Sequence, residues 1–139
     1  AKNFQQVLRD AARLVAEETH LHPVGVQDYF SDATLGVIES QVVPGVTLFD
    51  GRLVGIESPC LIVMRLAAPV MAGGDPRVAT RVFVFLLSSE SEQARHVQRV
   101  NRVARFLKAR GTMAAIEQAD RPEEVTALFL IGAQGRAAA

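Results

Sequence analysis

Helix-period segments towards both ends of the chain, with two apolar β-branched runs between them, predict a layered α/β domain. Its central mixed sheet has about five strands flanked by helices. The runs at 60–66 and 78–87 are apolar nearly throughout, which is the pattern of strands covered on both faces and places them centrally in such a sheet. Residues 4–18 set Phe4, Val7, Leu8, Ala11, Leu14 and Val15 at helical spacing, opposite Gln5, Arg9, Arg13 and Glu17. This first helix stops at 19–22, and Pro23 opens a second, because a helix first turn leaves its N–H groups unpaired anyway. Val26, Tyr29, Phe30, Ala33, Val37 and Ile38 give that helix its apolar face, weakened late by Gly36.

Pro44-Gly45 is a turn signal. Asp50-Gly51, between Val46-Thr47-Leu48-Phe49 and Leu53-Val54-Gly55-Ile56, is the strongest hairpin signal in the chain. Ala68-Pro69 and Gly73-Gly74-Asp75-Pro76 mark a loop between the two apolar strands. Ser89 and Glu92 have the spacing of a capping box ahead of a long helix. Val97, Val100, Ala104 and Leu107 form its buried stripe, and Gly111 ends it. A short helix over 113–118 follows, then a last one capped by Asp120 with Glu123 and carrying Val125, Leu128 and Phe129. Residues 1–131 read as a single domain, and 132–139 as a disordered tail with too little to bury.

With 139 residues, 49% of them hydrophobic and 22% charged, the chain is long and apolar enough for a real core. Its 15 basic and 15 acidic residues cancel, which argues against a dedicated nucleic-acid binder. One cysteine forms no internal disulfide, so a reducing cytoplasm is the expected compartment. No apolar run approaches the length of a membrane span, and the N-terminal residues Lys2, Arg9 and Asp10 do not resemble a signal peptide. The start at Ala1 rather than Met suits a domain cut from a longer protein.

The hexapeptide Gly55-Ile56-Glu57-Ser58-Pro59-Cys60, with His96 opening a helix some way beyond it, carries the chemistry of the chain. It resembles the Gly-Ile-Ala-Ile-Pro-His signature of the mannitol/fructose/nitrogen type of enzyme IIA domain, from the phosphoenolpyruvate-dependent sugar phosphotransferase system. The similarity extends over residues 4–131. It includes the strand Arg81-Val82-Phe83-Val84-Phe85-Leu86-Leu87, the helix from His96-Val97 to Val103-Ala104-Arg105-Phe106-Leu107, and the terminal short helices. The resemblance implies the fold of the phosphotransferase/anion transport proteins. It also implies a phospho-acceptor position at Cys60, where the family has His, and a supporting role for His96. The chain is thus identified as a divergent member.

Phosphoryl transfer passes through a highly charged transition state and depends on positioning and on cationic or N–H donors. Family members commonly carry an Arg-Glu pair about sixteen residues before the acceptor. Here that region reads Ile38-Glu39-Ser40 or Pro44-Gly45, without Arg. Glu57 replaces the signature Ala and adds negative charge where a phosphoryl group would arrive; at ~4 Å and an effective dielectric near 20, each like-charge pair costs roughly 4 kcal/mol. Arg52 and Arg65 are candidates to compensate, and with Glu57 they are the candidate ligand-binding residues.

Cys60 has three readings: a small buried hydrophobe, a thiolate nucleophile activated by a protonated His96, or a redox or ligand-binding residue. Phosphocysteine has a precedent in the companion IIB domains of this system. His96 itself reads either as a polar residue in a helix first turn or as the retained site residue. His20 and His22 lack a spaced third ligand and read as solvated loop residues rather than zinc ligands. Gly73-Gly74 lacks the spacing of a nucleotide loop. Arg95, Arg99, Arg102, Arg105, Lys108 and Arg110 form one basic helix side, a solvated face or a dock for an acidic partner or anionic membrane. Neither a metal nor a cofactor is expected.

Three functions follow from the resemblance. The first is a IIA-like domain that no longer relays phosphate and serves as a regulatory or interaction module linked to membrane transport. The second is an active phosphocarrier, taking a phosphoryl group from an HPr-like carrier on Cys60 and passing it to a IIB partner. The third is an anion- or nucleotide-binding sensor using Arg52, Arg65 and His96. The expected partners are an HPr-like phosphocarrier or a membrane transporter domain, fused or separate, and a homo-oligomer stays open. The implied location is the cytoplasm, free or tethered to a transporter.

Overall fold

The computed structural model describes residues 3–72 and 79–132, with side chains to residue 129. Two compact units make up the chain, residues 1–93 and 94–139. The first opens with α1 (Phe4–Thr19), started by Asn3, whose Oδ1 accepts the Gln6 N–H at 2.9 Å. Val7, Leu8, Ala11, Ala12 and Val15 are buried, so the apolar stripe lies where its spacing predicts, with Ala12 inside and Leu14 half-buried. His20 closes the helix in the left-handed conformation (φ 65°), and its N–H donates to the Ala16 carbonyl at 2.8 Å. His22 then caps α2 (Pro23–Ser31) by accepting the Val24 N–H on Nδ1 at 3.2 Å. The two histidines are exposed in the link, as read, and also serve as the cap residues where the two helices meet.

The expected extension of α2 to Ile38 does not form. Asp32 accepts the Thr34 N–H at 2.9 Å and the Thr34 hydroxyl at 2.6 Å, which turns the chain into a short 3-10 helix, Ala33–Leu35. An Asp side chain that satisfies nearby backbone competes with the helix ladder. Ile38 instead starts β1 (Ile38–Val43), which pairs antiparallel with β2 (Val46–Leu53), so the hairpin turn falls at Pro44-Gly45.

Asp50-Gly51, the expected hairpin turn, lies inside β2 and pairs without interruption. Gly51 is there because Tyr29 occupies the space its side chain would need. A Cβ would strike the tyrosine hydroxyl and lie 2.8 Å from Cζ. The dipeptide looks like turn chemistry, but it serves a close approach between α2 and the sheet.

The described sheet has four strands, one fewer than expected, in the order β1-β2-β4-β3. β4 (Ala79–Ser89) is central, parallel to β2 and antiparallel to β3 (Cys60–Met71). Its residues 82–88 are all buried, as its unbroken apolar run predicts. The equally apolar β3 is an edge strand rather than a central one, and it runs through Ala68-Pro69 to Met71 with a shift of register between Arg65 and Val70. Edge position and irregular pairing are what allow proline inside a strand. The expected loop at 73–76 and the tail from 133 onward lie outside the described residues.

Strand alternation sends Phe49, Phe83, Phe85, Leu87, Cys60 and Leu66 to the face that α1 and α2 cover. Phe85 lies 4.8 Å from Phe30 and 5.1 Å from Phe49, ring centre to ring centre. These buried rings join α2 to the sheet, and Phe4 of α1 stacks on Phe49 at 6.0 Å.

The second unit contains α3 (Gln93–Lys108), α4 (Thr112–Gln118) and α5 (Pro122–Gly132). The α3 stripe is His96, Val103 and Leu107, whereas Val97, expected inside, is 52% exposed. Neighbouring residues are about 100° apart around a helix, so a one-residue shift in the stripe turns Val97 outward and His96 inward. Ser89 ends β4 and accepts the Ser91 N–H instead of capping α3. Gly111 stands at the head of α4 rather than at the end of α3. At the last turn, Glu124 rather than Glu123 reaches back, accepting the Asp120 N–H at 3.3 Å. Phe106 meets Phe129 edge-on at 4.9 Å, tying α3 to α5.

Candidate functional site

The hexapeptide forms the link between β2 and β3, and each of its parts has a mechanical role. Gly55 takes φ +94°, which side chains rarely adopt, and a Cβ there would come within 2.9 Å of Leu21. Ile56 is 4% exposed and anchors the loop in the core. Glu57, Ser58 and Pro59 stay exposed, and Cys60 enters β3 as its first, buried residue. The end of α1 comes alongside. Together Glu18, Thr19, His20, Gly55, Glu57, Ser58, Pro59 and Cys60 enclose a cleft of about 430 Å³.

The cleft sets the state of the cysteine. Cys60 is 1% exposed. Burial first, then repulsion from the Glu18 carboxylate and a hydrogen bond to it, push the thiol from 9.0 up to about 12. The thiol keeps its proton and donates it to Glu18. At neutral pH the thiolate share is then on the order of one in 100,000. Glu57 adds a second carboxylate to the walls, and none of the described lining residues is Lys or Arg.

Of the residues singled out in the sequence, Cys60, Glu57 and His20 share this cleft. Arg52 turns elsewhere: its Nη1 donates to the Glu90 carbonyl at 2.7 Å. Arg65 lies an odd number of steps along β3 from Cys60, on the opposite face of the sheet. Glu39, in the region where the family carries Arg-Glu, is on β1; burial raises its carboxyl pKa, and it lines a different groove. His96 belongs to α3 in the second unit and is 6% exposed. Among the described residues, no group of three or more His, Cys, Asp or Glu is placed to hold a metal ion.

Glu18 is the site residue that sequence reasoning missed. Its signal was present, because 7, 11, 15 and 18 continue the inward face of α1 and put a carboxylate where the stripe ends. Nothing in the chain order indicated that the end of α1 would meet Cys60.

A mixed sheet with a parallel central pair, two helices on one face and a loop-built cleft at the first residue of an edge strand defines a small layered α/β domain. The family described as "Phosphoenolpyruvate-dependent sugar phosphotransferase system, EIIA 2" matches residues 1–131, and the chain belongs to it. Its fold is that of nitrogen regulatory protein IIA-Ntr from Neisseria meningitidis, at a TM-score of 0.79 and 19% identity over 92% of this chain and 87% of that one. IIA mannitol from Escherichia coli is similar at a TM-score of 0.69 and 14% identity, over 92% and 89%. So is the complex of E. coli enzyme IIAMtl with phosphorylated enzyme IIBMtl, at 0.70 and 14% identity over 94% and 89%. None of the curated proteins matches the chain significantly. Among the described residues, no helix is long and apolar enough to cross a membrane.

Proposed function

We propose that this chain is a IIA-type domain that no longer relays phosphoryl groups and acts as a regulatory or interaction module. It works in the cytoplasm, beside or fused to a membrane transporter, with both compact units forming one functional domain through residue 131. The observation that supports this reading is the neutral Cys60 thiol held by burial and by Glu18. Sulfur attacks phosphorus as thiolate, so an acceptor needs its proton removed before the S–P bond forms and the carrier's N–P bond breaks. Glu18 opposes that loss, and Glu57 repels the incoming phosphoryl oxygens. Relay chemistry instead calls for cationic or N–H donors around the transferring group.

The partner that the E. coli complex suggests is a IIB-type domain, bound here without transfer; an HPr-like carrier is the other. The regulatory reading takes His96 as a remnant of the family's supporting residue. The active-carrier reading has one observation in its favour, the place of Cys60 at the end of the signature loop.

One experiment separates them. The domain is incubated with phosphoenolpyruvate, enzyme I and HPr, and its intact mass is measured. The expected result is no phosphate adduct on the wild type. Label on Cys60→His alone would place the loss of relay at the acceptor. An adduct on the wild type that vanishes in Cys60→Ser overturns the regulatory reading in favour of the carrier.

A further inference from the structure

Charge is unevenly shared between the two units. Residues 1–93 hold eleven acidic and seven basic side chains, and residues 94–139 hold four acidic and eight basic. The units therefore carry −4 and +4 within a chain of net charge zero. The basic surplus sits on α3, whose 16 residues include Arg95, Arg99, Arg102, Arg105 and Lys108 and no Asp or Glu. Steps of three and four residues make these like-charge neighbours, which weakens a helix standing alone. Gln98, Asn101, Arg102, Arg105 and Lys108 are exposed and line a shallow hollow of about 500 Å³. Among the described residues, Arg102, Arg105 and Lys108 have no ion-pair partner.

Such a face calls for an anionic cover, and the chain itself presents one. Glu18 and Glu57 line the Cys60 cleft, Glu17 adjoins them, and all three are exposed. A lipid surface fits less well, because Val97 is the one large apolar side chain that α3 exposes near these cations and the first unit is repelled by the same anionic lipids. Two copies of a net-neutral chain approach without overall repulsion, and opposite patches then orient the encounter.

We infer that Arg102, Arg105 and Lys108 on α3 dock a second copy of this chain through the Glu17, Glu18 and Glu57 carboxylates around its cysteine cleft. The contact is self-complementary in charge and covers the Cys60 cleft of the receiving copy. It is weak and salt-sensitive, since exposed pairs contribute little individually; three together amount to about ten-fold in Kd.

Light scattering of the full chain during size exclusion tests the inference, over a range of concentrations. At about 10 mM salt, where charges act over roughly 30 Å, the mean mass is expected to exceed that of a monomer and to rise with concentration. At about 1 M salt, where that reach is roughly 3 Å, it is expected to return to the monomer. Arg102→Glu/Arg105→Glu/Lys108→Glu and Glu17→Lys/Glu57→Lys are each expected to stay monomeric, and an equimolar mixture of the two is expected to associate again. Circular dichroism checks that both fold; if the triple variant does not, Arg102→Gln/Arg105→Gln replaces it and is expected to weaken association. A wild type that is monomeric at low salt overturns the inference, as does association that survives either set of substitutions or that salt leaves unchanged. Failure of the mixture to associate overturns it too.

Discussion

The two ends of β3 bear hollows of opposite character. At the Cys60 end the cleft is small, about 430 Å³, and its walls carry carboxylates, hydroxyls, an imidazole and a thiol. At the Met71 end the groove is larger, about 1020 Å³, and is lined by Phe4, Leu8, Phe30, Phe49 and Val70, with Glu39 the sole charged residue among its described lining. The larger hollow lies against the buried aromatic core, and among its described lining residues Ser31 is the one hydroxyl. The smaller one is where a loop places polar groups against a buried residue. Volume therefore points away from the signature loop in this molecule, whose polar side chains line the smaller hollow.

That contrast makes a prediction about what each wall does. Truncating the groove wall removes core: Phe49, 1% exposed, packs on Phe85 and Phe30. Phe49→Ala is expected to cost about 4 kcal/mol in denaturant unfolding. A cost under about 1 kcal/mol would mean the groove is a flexible surface rather than the open side of the core.

The cleft acts on stability through a proton. The folded state raises the Cys60 pKa, so its contribution is fully present below 9.0 and is lost as pH rises towards about 12. Three pKa units bound the loss at about 4 kcal/mol. Melting temperature is expected to fall across that window more steeply in the wild type than in Cys60→Ser. Glu18→Gln removes both the repelling charge and the carboxylate acceptor, so the thiol pKa is expected to fall and alkylation at mildly alkaline pH to quicken. Equal alkylation rates with and without Glu18 would leave burial as the whole cause. The smallest effect is reserved for the rim: Glu57 is exposed, and Glu57→Gln is expected to change stability by less than about 0.5 kcal/mol.

Much of the fold was legible in the chain because its signals were local and periodic. The α1 stripe, Pro23 at the head of α2, the unbroken run of β4 and the short helix near the C-terminus all formed where they were read. Misreadings came where one residue type serves two purposes. Gly51 yields to Tyr29 inside a strand rather than turning a hairpin, and Asp32 stops a helix whose apolar spacing continues past it. The run at 60–66 was correctly read as strand but misplaced in the sheet, since apolar composition does not distinguish an edge strand from a central one.

The sequence alone determined the scaffold and the loop that ends at Cys60. Gly55-Ile56 and the order of elements carry the family resemblance, because turn chemistry and hydrophobic period act over a few residues and survive in the linear chain. Tertiary structure alone decided what Cys60 is. Only folding brings the last turn of α1 against the start of β3, and the thiol's proton is set by burial and by Glu18, forty-two positions earlier in the chain. Electrostatics depend on distance through space, and that distance cannot be read from the linear sequence.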